Sequence, residues 1–102
     1  GSFRDADNFH KGSGDALIYS LPDSSQLLRL ENFDVTNGPD LFVYLVKDAN
    51  NVKGDFVNLG KLKGNKGNQN YTIPSEVNID DYQAVVVWCR AFSVLFSTAD
   101  LK

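Results

Sequence analysis

Apolar residues recur along this chain in short runs that alternate with polar ones at a period of two. No segment carries the i, i+3, i+4, i+7 stripe of an amphipathic helix. The runs cover residues 16–21, 26–33, 41–47, 56–60, 70–74, 84–89 and 92–97. Between them fall turn signals such as Pro22-Asp23-Ser24-Ser25, Asn37-Gly38-Pro39, Asn50-Asn51, Gly64-Asn65-Lys66-Gly67-Asn68 and Asp80-Asp81. Short strands with closely spaced turns predict an all-β fold, an antiparallel sandwich or barrel of about seven to nine strands. Residues 5–11 are the one stretch that suggests a helical turn.

Side-chain parity orients the strands. Within 26–33, Leu28 and Leu30 share one face while Arg29 and Glu31 share the other, so one face is solvated. Within 92–97, Phe92, Val94 and Phe96 are expected inward and Ser93 and Ser97 outward, with Leu95 out of step. Residues 41–46 and 85–88 are apolar on both faces, which marks inner strands covered on both sides. In a regular strand Val85, Val87 and Cys89 point one way and Val86, Trp88 and Arg90 the other. Trp88 and Arg90 then lie side by side, where the guanidinium can stack on the indole.

The 102 residues suffice for one domain, expected over 3–102, with Gly1-Ser2 set aside as the remnant of a cleaved tag. Ten basic residues against thirteen acidic ones give a net charge of −3. That balance argues against a nucleic-acid binder and leaves proteins and small molecules as partners. No apolar run approaches the about 20 residues of a membrane helix, although a signal peptide or lipid anchor ahead of Phe3 is compatible with the pattern.

Candidate chemistry is sparse. His10 is the sole histidine and there is no methionine, so a haem with two ligands from one chain is excluded and a colourless domain is expected. No metal site is expected: a zinc cluster lacks ligands, and around Asp5-Ala6-Asp7-Asn8 the glycine and the distal glutamate of a calcium loop are not in register. Asn37-Gly38-Pro39-Asp40 is expected to be a structural turn, with Gly38 at positive φ and Pro39 aiming the chain into the next strand. Residues 59–71 gather three lysines, three glycines, three asparagines and a glutamine into thirteen positions. This is either a mobile hairpin loop kept soluble by lysine or a loop of amide and ammonium groups beside a binding site. In the second case Lys61, Lys63, Lys66, Asn68 and Gln69, with Trp88 and Arg90, are the candidate binding residues.

Cys89 is the only cysteine, so it is either a small buried hydrophobe or a single reactive thiol. Its parity with Val85 and Val87 favours burial. Its place at the end of an apolar run favours a thiol near the surface under a loop. Lysines from the 61–66 segment would then hold its pKa below the usual value of about 8.5.

Four ordered blocks resemble one family: 28–33 with Asn37-Gly38-Pro39-Asp40-Leu41; 59–65; 67–71; and Val87-Trp88-Cys89 with Phe92. Over about Gly14 to Leu101 the chain resembles the DM-thirteen domain family, often labelled "electron-transfer DM thirteen". The resemblance implies an extracytoplasmic all-β module of secreted or lipid-anchored proteins. Relatives also occur beside DOMON and b-type cytochrome domains. The family's characteristic cysteine falls on Cys89, which makes Cys89 the candidate redox thiol. A single thiol cannot run an intramolecular dithiol–disulfide cycle, so electron transfer would need a cofactor of unknown identity, a redox or surface protein partner, or a second copy. The alternative is a non-catalytic cell-surface binding module with an inert, structural Cys89. A stand-alone enzyme is not expected, because no acid, base and nucleophile set can be assembled.

Overall fold

The computed structural model describes Gly1–Leu101; Lys102, the last residue of the expected domain, lies outside the described residues. Eight strands run in chain order: β1 (Phe3–Asp5), β2 (Gly12–Ser20), β3 (Gln26–Val35), β4 (Leu41–Val46), β5 (Phe56–Lys61), β6 (Gln69–Ile73), β7 (Ala84–Cys89) and β8 (Val94–Asp100). One 3-10 turn, Ile79–Asp81, is the sole helical element among the described residues. The strands form two antiparallel sheets, ordered β1-β8-β7-β4-β5 and β2-β3-β6. The fold is an open sandwich and not a closed barrel.

β4 and β7 are paired neighbours inside the larger sheet and every residue in them is buried. One face of each packs between the sheets with Leu28, Leu30, Phe33, Tyr71 and Ile73. The other face builds a second apolar cluster from Phe42, Tyr44, Val46, Val86 and Trp88, roofed by Val52 and Ala49 of the β4–β5 loop. Burial on both faces explains why their sequences do not alternate. Each such Val or Leu side chain contributes about 1.5–3 kcal/mol over an exposed one.

Several expectations are corrected. β1 was not anticipated; three residues are too few to show a period. It docks on β8 (Phe3↔Ala99), and Gly1 and Ser2, set aside from the sequence, hydrogen-bond to Ala16 and bridge to Asp15. Residues 6–11 form no helical turn: the Asp7 carboxylate accepts the N–H groups of Phe9 and His10 and bends the chain instead. β2 reaches back to Gly12 across an irregularity: Ser13 pairs with Asp34 and Asp15 with Glu31, so β3 carries the extra residue at Asn32-Phe33, opposite Gly14 at φ 102°. In β8 the pairing steps from Val87↔Ser97 to Trp88↔Leu95. Phe96 is the extra residue, so Ser97 turns inward with it and donates its hydroxyl to the Arg4 carbonyl at 2.7 Å. Leu95 then belongs to the outer cluster, which accounts for its being out of step. Phe92 lies outside β8 and is exposed, not inward.

Because neighbouring strands are antiparallel, the connections gather at two ends of a molecule about 40 Å long. Residues 6–11, 36–40, 62–68 and 90–93 form the Cys89 end. Residues 21–25, 47–55 and 74–83 form the opposite end. Both described termini lie toward that opposite end, with Gly1 beside Asp100 and Leu101 donating its N–H to Gln83.

Candidate functional site

Cys89 is the last residue of β7, facing Leu41 on one side and Val94 on the other. It has no exposed surface and belongs to the core between the sheets, with Leu41, Val87 and Phe96. The expected thiol near the surface is therefore corrected: strand parity holds to the end of β7, and neighbouring strands cover the sulfur. Leu41 is positioned by the turn before it. Asp40 accepts the Arg90 N–H through its carbonyl at 3.0 Å, and Leu41 accepts the Leu62 N–H at 2.9 Å.

Gly38 serves that turn differently from the expectation. Its φ is not positive; a side chain there would meet the Phe96 ring at 2.8 Å and Leu41 at 3.1 Å. Arg90 does not stack on Trp88. Its guanidinium lies 4.0 Å from the centroid of the Phe42 ring, with Asp40 at 3.9 Å. Phe42 is the register partner of Trp88, so it offers the neighbouring ring on the same face. Trp88 instead lines a cleft of about 400 Å³ with residues 49–53 and Leu95.

The lysine- and amide-rich loop is tied down along its length. Asn68 accepts the Asn32 N–H, which is needed where Asn32 adopts φ 52°. Gln69 donates to Gly64 at 2.9 Å and accepts the Tyr71 hydroxyl, and that hydroxyl accepts the Lys63 N–H. Lys63 Nζ bonds the Asn70 carbonyl and sits over the Tyr71 ring. Burial pushes the Tyr71 phenol above its usual pKa, against a smaller opposing effect of the Lys63 N–H. Lys66 faces Asp34 at 4.0 Å, and Lys61 lies opposite Phe42, whose side chain is on the outer face, away from Cys89. The expected approach of these ammonium groups to the sulfur does not occur.

Two clefts open at this end. One of about 230 Å³ is bounded by Asn37, Gly38, Pro39, Leu41, Lys61 and Leu62. A second of about 390 Å³ is bounded by Lys11, Ser13, Thr36 and Lys66 among others. They share Asn37 and Asn65 and so adjoin. Leu41 forms part of the first cleft and faces Cys89 in the sheet. The binding candidates thus divide: Lys61 and Lys66 line clefts, Arg90 covers Phe42, and Lys63, Asn68 and Gln69 brace the loop.

His10, the sole histidine, has its ring held in place. Nδ1 lies 2.8 Å from Asp7 and the ring packs at 4.4 Å on Phe96. The hydrogen bond from His10, then the Phe9 N–H, hold the Asp7 carboxyl below its usual pKa. The spacing Asp7-x-x-His10 was the available signal. Among the described residues no three His, Cys, Asp or Glu side chains converge on a common point.

A model of the family described as electron transfer DM13 matches residues 2–101. The chain belongs to the DM13 electron-transfer family. No curated protein and no solved structure matches it. In this DM13 domain the match runs from the first bridge to β2 through the end of β8, so it takes in Cys89, both clefts and the braced loop.

Proposed function

We propose that this domain is the electron-transfer module of an exported protein and that Cys89 is its redox group, working with a partner that carries the second redox centre. The observation that carries the reading is the position of the sole thiol at the last residue of β7, one side chain behind the cleft bounded by Leu41. A strand's last residue separates from its sheet more readily than its middle. Displacing the 36–40 turn and Leu41 would bring the sulfur to the cleft. There the thiolate could attack a partner's disulfide, forming a mixed disulfide and releasing the partner's thiolate. Family membership supports the redox role, and the resemblance to exported modules supports an extracytoplasmic location.

The complete burial of Cys89 favours a second reading, a binding module whose thiol is packing alone. One experiment separates them. A small thiol reagent is added to the folded domain over a range of low urea concentrations. Opening of the Cys89 end alone gives labelling that is insensitive to urea, because little surface is exposed. Labelling that tracks global unfolding throughout would reject the redox reading and leave the binding module.

A further inference from the structure

The two ends differ in charge. The loops of the opposite end carry six carboxylates, Asp23, Asp48, Asp55, Glu76, Asp80 and Asp81, against Lys47 and Lys53. The Cys89 end carries Lys11, Lys61, Lys63, Lys66 and Arg90 against Asp5, Asp7, Asp34 and Asp40. In each of its three ion pairs with a lysine or arginine, the cation is more exposed than its carboxylate, so the outermost layer is basic. The pairs are loose, at 3.5, 4.0 and 3.9 Å, and hold those cations weakly. The same end presents the two most exposed large apolar side chains among the described residues, Phe9 at 82 % and Phe92 at 68 %. Neither packs in a core cluster, and exposed aromatic groups among cations are the composition of a docking face.

We propose that the Cys89 end docks an acidic protein partner, with Phe9 and Phe92 as its apolar anchors and the lengthwise segregation of charge as its orienting device. This rests on the electron-transfer reading and names the partner's chemistry. A negatively charged partner is repelled by the acidic end and drawn to the only end whose outer layer is cationic. It therefore meets the domain with the Cys89 end foremost.

The test is an amide-shift titration of the intact domain with a glutamate-rich peptide of about 20 residues carrying several leucines, alongside its lysine counterpart, at low and at roughly 0.5 M salt. The expected result is shifts confined to residues 6–11, 36–40, 61–68 and 90–93 with the acidic peptide, weakening with salt. Lys61→Glu with Lys66→Glu should reduce affinity at least tenfold, and Phe92→Ser severalfold. Both lysines are exposed, so an unchanged melting temperature will show that the fold survives. Shifts spread over both ends, or unchanged binding by the charge-reversed variant, would overturn the proposal. So would salt-sensitive head-to-tail association of the domain seen by sedimentation, which would make the occupant a second copy. Docking without any native-state labelling of Cys89 would keep this face and remove the thiol mechanism; labelling without docking would do the reverse.

Discussion

Cys89 sits among apolar side chains with no surface of its own, so its substitutions report on packing before they report on chemistry. Cys89→Ala should cost about 1–2 kcal/mol through lost contacts and a small cavity. Cys89→Ser should cost more, about 2–3 kcal/mol, because it strands a hydroxyl in the core. Thermal melts of the two variants check that order, and Ser matching the wild type would contradict the burial. Gly38→Ala should lower stability by about 1–3 kcal/mol, because the new methyl meets the Phe96 ring. Tyr71 adds a pH dependence. Its phenol titrates higher in the folded chain than in the unfolded one, so the unfolded state releases its proton first. Stability is complete below about pH 10 and declines as pH rises through that value toward the folded pKa. Urea melts from neutral to alkaline pH should show a shallower decline in Tyr71→Phe, which also loses the acceptor of the Lys63 N–H and is less stable at neutral pH.

At the scale of elements, β4 and β7 were legible because burial on both faces writes an unbroken apolar run. β3 was legible from its alternation, which the Arg29–Glu31 pair at 2.8 Å bears out on the solvated face. The bulges at Asn32-Phe33, opposite Gly14, and at Phe96 were not. A bulge adds one residue to one strand, and the pairing partner needed to notice it is distant in sequence. The 62–68 loop was misleading for a related reason. Its composition suits mobility or ligand binding, but its amides find partners at Asn32, Gly64 and Tyr71. Gln69→Leu should therefore release the loop without unfolding the sheets. Hydrogen exchange should accelerate at Lys63 and Gly67 and stay slow in β4 and β7; uniform acceleration would show that Gln69 supports the whole core. The site divides along the same line. Parity placed Cys89 on the inner face, whereas its closure by Leu41 and the 36–40 turn depends on contacts between strands far apart in the chain.

At the scale of the molecule, the long axis runs from an acidic end to one whose outer layer is basic, with the thiol nearer the latter. The position of the termini adds a mechanical consequence. Gly1 lies beside Asp100, and Leu101 is pinned to Gln83, both toward the end remote from Cys89. Anything joined to either terminus would emerge there as a stalk. On a surface, such a stalk would hold the domain like a lamp on a post, its cysteine-bearing crown turned outward and its acidic foot toward the support. Fusing a rigid protein to either terminus should therefore leave thiol labelling and peptide docking unchanged. The same fusion inserted between Gly64 and Asn65 should obstruct both.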